Sequence, residues 1–246
     1  MIVKLPPRIG FPWTLRIIAL ICAVMCSLAH LLIQKRLPDN KVAGSSIDLK
    51  ALTEVKYTLT TLAVLLVELA VFIPYTYITS YGVYVGLSSQ HALELVTLLN
   101  VGAVPGRALP GYFADRLGPF NVMIYTSLVC ALSIFCLWLT ASDNVARITA
   151  FSVIFGFWSG AAISLTPICV GQVCETKDYG KRSGTTNSIA SFGALLGIPI
   201  AATLLRRGDG SYENVIIFSG IAYLLACIVF SITRTLVKGA KWDVIF

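Results

Sequence analysis

The chain has 246 residues, of which 57% are hydrophobic and only 13% charged, with a net charge of +7 and a mean hydropathy of +0.81. A soluble globular domain carries about twice that share of charge, so the composition excludes an ordinary soluble enzyme. The positive balance needs no nucleic-acid partner, because few acids offset a modest number of loop cations. Seven apolar runs, 13–34, 58–80, 91–113, 120–140, 148–172, 185–205 and 214–236, are long enough to cross ~30 Å of hydrocarbon. They predict an all-α, polytopic membrane protein.

The first run follows a basic stretch, residues 1–11, as a secretory signal core would. Ile17 to Ile33 is too long for such a core, and no small-x-small cleavage site precedes Gln34-Lys35-Arg36. Residues 1–36 are therefore expected to hold a retained helix. Residues 37–57, polar and basic with Gly44-Ser45-Ser46, read as a linker. Residues 58–236 hold the six remaining runs, and 237–246 a short tail.

Glu68 lies about ten residues, or ~15 Å, into the second run, near a bilayer midplane. Such an acid suits a proton relay, or rests neutral and hydrogen-bonded within the bundle. Tyr75, Tyr77 and Tyr81 follow Pro74 near the end of this run. An aromatic interface belt is expected there, with an external gate as the alternative. His91 and Glu94 open the third run and are expected in solvent.

Asn100 and Arg107 stand seven residues apart, two helical turns or about 10 Å along one face. An arginine inside a membrane helix costs roughly 3 kcal/mol by insertion scales, so it normally faces protein or water. Its guanidinium matches a carboxylate with two parallel hydrogen bonds, which points to a small organic anion as ligand. The alternative is that Arg107 snorkels to the interface or pairs structurally with a neighbouring helix.

The same run closes on Gly106-Arg107-Ala108-Leu109-Pro110-Gly111-Tyr112-Phe113-Ala114-Asp115-Arg116-Leu117-Gly118. Asp115 is expected to end the helix and Arg116 to begin the loop. Gly111 is expected to allow close helix approach, and Gly118 a backbone conformation that other residues resist. A charge pair at such a hinge can latch one state; a topology-setting arginine beside a capping aspartate is the plainer reading.

In the later runs, Gly156-x3-Gly160-x3-Ser164 and Gly193-x3-Gly197-x3-Ala201 form stripes for close packing. Pro74, Pro105, Pro110, Pro167 and Pro199 fall inside helices, where they free carbonyls. Trp158, Asn187 and Ser191 are candidates for a pathway lining, and His30 is expected to pack. Seven cysteines without a Cys-x-x-Cys, and only two histidines, point to neither a metal site nor a disulfide framework. No Walker loop, dinucleotide fingerprint, nucleophile elbow or His-Glu-x-x-His occurs, so no cofactor or catalytic pair is indicated.

Basic-residue asymmetry sets the expected orientation. If the first run leads inward, one side holds Lys35, Arg36, Lys41, Lys50, Lys56, Arg116, Lys177, Lys181, Arg182, Arg234, Lys238 and Lys241, twelve in all. The other holds six: Lys4, Arg8, Arg16, Arg147, Arg206 and Arg207. The N-terminus is then outside and the C-terminus in the cytosol, although the Arg206-Arg207 pair argues locally against it.

The segment ending Asp115-Arg116-Leu117-Gly118 resembles the Gly-x-x-x-Asp-Arg-x-Gly loop signature of the major facilitator superfamily. Leu5-Pro6-Pro7-Arg8-Ile9-Gly10-Phe11-Pro12-Trp13-Thr14-Leu15-Arg16, Phe72-Ile73-Pro74-Tyr75, the block from Asn100 to Gly118, and Phe155-Gly156-Phe157-Trp158-Ser159-Gly160 are similar to its fungal monocarboxylate-transporter-like branch. The resemblance covers nearly the whole chain and implies the C-terminal half of a twelve-helix carrier: helix six, the linker, and helices seven to twelve.

It further implies gate roles for Asp115 and Arg116, transport of a small solute by alternating access, and a plasma-membrane location. The implied partners are the lipid bilayer, the solute, and the missing N-terminal half or another half-carrier. In animal monocarboxylate carriers an aspartate stands four residues before the arginine that Arg107 matches. Here that position is Ala103, and Glu68 is the candidate replacement. A non-transporting sensor built on a carrier-derived bundle is the alternative, with an intramembrane enzyme third.

Overall fold

The computed structural model describes residues 9–33, 47–142 and 144–238. The chain divides into two compact units, residues 1–42 and 43–246. In the first, helix α1 (Phe11–Leu32) starts behind Gly10 and carries Pro12 in its opening turn, where a missing N–H leaves no intrahelical bond unmade.

The second unit contains α2 (Val55–Tyr84), α3 (Ser89–Leu117), α4 (Pro119–Ser133), α5 (Val145–Gln172), α6 (Tyr179–Arg207) and α7 (Glu213–Lys238). A short 3-10 helix, Leu49–Thr53, precedes α2. The described residues include seven helices long and apolar enough to cross a membrane. The fourth span reaches that length by running on through a π-helical turn, Ile134–Trp138. No strand occurs among the described residues, so the expected all-α polytopic fold is the observed one.

The helices overrun the apolar runs, and two of them start behind a capping side chain. The Ser88 hydroxyl accepts from the His91 N–H at the start of α3, and Asn144 accepts from the Arg147 N–H at the start of α5. At the far end of α3 the helix holds through Leu117 and stops at Gly118, with φ +87°. Asp115 and Arg116 are therefore both helical, and the expected loop shrinks to Gly118.

Packing follows a repeated pattern. α3 lies along α5, and α6 along α2; α4 packs on α5, and α7 on α2. Exchanging α2 with α5, α3 with α6 and α4 with α7 reproduces the same neighbours, the arrangement of two related three-helix repeats. Lipid supplies little hydrophobic drive for helix association, so close backbone packing must hold such a bundle. It does so at glycines. A Cβ on Gly156 or Gly106 would collide with the carbonyls of Leu99 and Phe157, and one on Gly102 would sit 2.5 Å from the Val153 carbonyl. In the matching crossing, Gly193 and Gly197 lie against the Leu65 and Leu69 backbone of α2.

Both predicted stripes therefore pack helices, and a third pair, Gly102 and Gly106, joins them. Gly111 does not. A Cβ there meets nothing within 4 Å, so it makes no close approach among the described residues.

An aromatic series fills the interior between the crossings. Trp138 stacks on Phe151 at 5.1 Å, Phe151 on Phe155 at 5.3 Å, and Phe155 meets Tyr223 edge-on at 5.8 Å. The π-helical turn carries Trp138 into this core, where it is fully buried. The expected aromatic belt is corrected here. Tyr81 is buried against Trp138 and Tyr212, and the Tyr77 hydroxyl donates to the Ile198 carbonyl at 3.4 Å. Arg234, counted from sequence among the loop cations, is likewise inside α7 with 1% of its surface exposed.

Candidate functional site

α3 has one packed face and one open face. Leu95, Leu99, Gly102, Ala103, Gly106, Pro110 and Ala114 are buried. Asn100, Val104, Arg107 and Asp115 are exposed, with Gly111 half-buried among them. Their spacing follows helical periodicity, so these residues share one stripe. The structure thus places Asn100 and Arg107 on a common open face, with Asp115 two turns below Arg107. Asn100 donates to the Val96 carbonyl of its own helix at 2.8 Å, which leaves its side-chain oxygen outward. Arg116 turns away and lies over the Tyr112 ring, 4.5 Å from its centroid, so Asp115 and Arg116 do not meet as a pair.

Ala103 explains why this chain has no acid beside Arg107. It is buried against Gly160 of α5, and its Cβ lies 3.3 Å from where a Gly160 Cβ would stand. A carboxylate at 103 would be wedged into a helix crossing rather than presented to a ligand.

Glu68 is half-buried on α2. Tyr223 of α7 and Cys130 of α4 are both fully buried in the same core. On the next turns of α2, the Tyr75 hydroxyl hydrogen-bonds Ser159 of α5 at 3.1 Å. Tyr75 and Ser159 thus join α2 to α5 by a polar contact inside the bundle, while Arg107 stays on the open face of α3. Sequence reading found Glu68 and Arg107 and missed Ser159, Cys130 and Tyr223, which look like ordinary small or aromatic core residues. Trp158 is half-buried, and Asn187 and Ser191 are exposed.

A second charged cluster, unforeseen from sequence, sits where α2 and α6 begin. Arg182 places both terminal nitrogens on the Glu54 carboxylate, and its Nε stands 3.9 Å from Asp48. Lys181 bridges Asp48 at 3.5 Å and Asp178 at 3.0 Å. Below the ions, Tyr57 donates to the Arg182 carbonyl at 2.8 Å. Thr186 donates to Tyr57 at 3.0 Å and meets Thr61 at 3.1 Å. This ladder continues the Gly193–Gly197 crossing to the end of the bundle and ties the chain entering α2 to α6. Lys181 and Arg182 were visible as basic loop charges, but Asp48 and Glu54, which they meet across the cluster, are more than a hundred positions away.

The paired hydrogen bonds from Arg182, then its charge, hold the Glu54 carboxyl below the ordinary glutamate range. A carboxylate with a depressed folded-state pKa adds stability above its unfolded value, about 4.3, and loses it as pH falls through the folded value. Half of the Glu54 side chain is exposed, so the pair is worth about 1 kcal/mol or less. The thermal midpoint of the wild-type chain is thus expected to fall between about pH 5 and pH 3 more than that of Glu54→Gln. Parallel pH profiles for the two would show that the pair contributes nothing.

The Major Facilitator Superfamily sequence pattern matches residues 5–166. The chain is 33% identical to a riboflavin transporter of Saccharomyces cerevisiae over 96% of its own length and 49% of that protein's. It is 34% identical to an MFS-type transporter of Gibberella moniliformis, covering 98% of this chain and 58% of the relative. An aspyridones efflux protein of Emericella nidulans is 33% identical over 86% of this chain and 42% of its own. Among solved structures, an autoinhibited POT family peptide transporter superposes with a TM-score of 0.65 at 15% identity, over 77% of this chain and 39% of that one. At that identity the likeness is one of fold. The chain spans about half the length of the curated relatives it matches.

Proposed function

The chain belongs to the Major Facilitator Superfamily, and on that premise we propose that it forms the C-terminal half of a secondary carrier for a small organic anion. In this reading α1 corresponds to the sixth helix, residues 37–57 to the linker, and α2 to α7 to the last six helices. Residues 37–46 and 239–246 lie outside the described residues. The family and the relatives are transporters, not enzymes. The seven apolar helices make the chain an integral, multi-pass membrane protein; the plasma membrane is the compartment proposed.

The observation that carries the anion reading is the open stripe of α3. A permanent cation and an amide share a face that is exposed among the described residues, and burying a guanidinium in lipid without a partner is costly. A facing half that encloses a site around Arg107 removes that cost, and a carboxylate neutralises it. Glu68, half-buried in α2, is the proposed proton-coupling residue. Riboflavin, in the name of one relative, is not a carboxylate, so the monocarboxylate likeness marks a branch rather than a solute. Asp115 is the proposed latch residue. With Arg116 stacked on Tyr112, its latch partner lies on another element.

The native protein tests the half-carrier reading. An antibody raised against residues 37–57 is expected to detect a band near twice 26.6 kDa in membranes of the source cells. A sole band at 26.6 kDa that co-purifies with no second half would favour a carrier-derived sensor or regulatory protein instead.

A further inference from the structure

We propose that Arg234 is a positioning residue: acting through Asn121, it holds the α3–α4 turn beside Asp115 and Arg116 in its closed form. The sequence places Arg234 near the end of the last apolar run, where it reads as a solvated tail cation. The structure buries it completely within α7. Its Nε donates to the Asn121 side-chain oxygen. Asn121, itself 7% exposed, donates in turn through Nδ2 to the Leu117 carbonyl at 2.7 Å.

Leu117 is the last residue of α3, and its carbonyl is among those a helix end leaves without an intrahelical donor. The residue after it, Gly118, is held at φ +87°. Its N–H bonds the Ala114 carbonyl at 2.9 Å, and its own carbonyl accepts from Val122 at 3.2 Å. The turn is thus one residue long, closed by backbone on both sides and clamped by a side chain from the distant α7. Removing a partner from a buried charge is costly, because the charge is left uncompensated. Here the bond leads to the one turn that carries the candidate latch. α7 also packs along α4, with Phe230 against Phe120, but the hydrogen bond to Asn121 leads directly to the turn.

The functional part of the inference rests on Asp115 acting as a latch; the structural part does not. Trypsin cleaves after Arg116, which makes the turn its own reporter. In the purified full chain in detergent, cleavage after Arg116 is expected to be slow. Arg234→Met and Asn121→Ala are each expected to speed it about tenfold, the effect of one lost charge-assisted hydrogen bond on a local opening. Cleavage after Lys177, in the α5–α6 connection, should stay within about twofold. The double variant should be no faster than Asn121→Ala, because Arg234 reaches the turn through that side chain.

Asn121→Asp separates positioning from general support. It keeps an acceptor for Arg234 and adds charge, yet loses the Nδ2 donor to Leu117. Faster cleavage after Arg116 with an unchanged melting midpoint is the expected result. If Asn121→Asp protects the turn as well as asparagine does, or if both cleavage sites accelerate together, the proposal is overturned. Should Arg234→Met fail to accumulate, the two Asn121 variants decide the matter alone. Failure of the latch reading shows separately: Asp115→Asn would leave solute uptake unchanged while the protease sensitivity still followed Asn121 and Arg234.

Discussion

Gly156→Val is expected to abolish the folded bundle, whereas Gly111→Ala leaves it intact, although both glycines lie in neighbouring helices of the same protein. At Gly156 even a single Cβ would run into the Leu99 carbonyl and Cα. Overpacking usually costs about 1–3 kcal/mol, because side chains shift to make room. Here the obstacle is backbone, so α3 and α5 must separate along a crossing that also holds Gly102, Gly106 and Gly160. Parting them removes close contacts that lipid tails replace poorly, and the loss competes with a total stability of only about 5–15 kcal/mol.

Size-exclusion profiles and thermal midpoints of the detergent-solubilised variants read this directly. Gly156→Val should run as aggregate or yield no protein. Gly111→Ala should match wild type or melt slightly higher, since alanine favours a helix by about 1 kcal/mol over glycine. A monodisperse Gly156→Val with the wild-type midpoint would mean that α3 and α5 do not approach this closely.

That contrast also shows what a linear sequence can carry. Gly156-x3-Gly160 and Gly193-x3-Gly197 repeat at the helical period, so their packing role was legible. Gly111 also sits in a helix beside small residues, yet it lies on the open stripe, and only the opposite face of α3 meets α5. Which side of a helix is covered depends on neighbours far away in sequence. The seven spans were likewise legible from hydropathy, but the ends were not: α3 runs to Leu117 because Gly118 caps it.

The buried charge network was the least legible part. Arg234 and Arg182 looked like any basic residues at helix ends. Their partners, Asn121 and Glu54, are 113 and 128 positions away. The tyrosines after Pro74 fit the composition of an interface belt, but packing against Trp138 and Tyr212 turns Tyr81 inward. Asn100 and Arg107 were the exception. Their seven-residue spacing alone put them on one face, and the fold left that face uncovered.

Arg107→Gln in the assembled carrier is expected to raise the half-saturation concentration for a carboxylate solute by about 10–100-fold, the loss of one or two charge-assisted hydrogen bonds. Arg107→Lys separates shape from charge. Lysine keeps the cation but lacks the planar fork, so a bidentate contact predicts that most of the defect remains. If lysine restores uptake fully, Arg107 serves as a field rather than as a clamp. Surface abundance must be measured beside uptake, because an arginine that only supports folding would lower transporter number and leave the half-saturation concentration unchanged. Riboflavin and a series of radiolabelled monocarboxylates are suitable probes, the first being the comparison in which Arg107 has no carboxylate to bind. Glu68→Gln completes the argument. If protonation of Glu68 accompanies anion entry, the glutamine variant transports with little dependence on external pH, while wild-type uptake rises as the medium is acidified. Equal pH profiles would remove Glu68 from the coupling and leave Arg107 as an anion site alone.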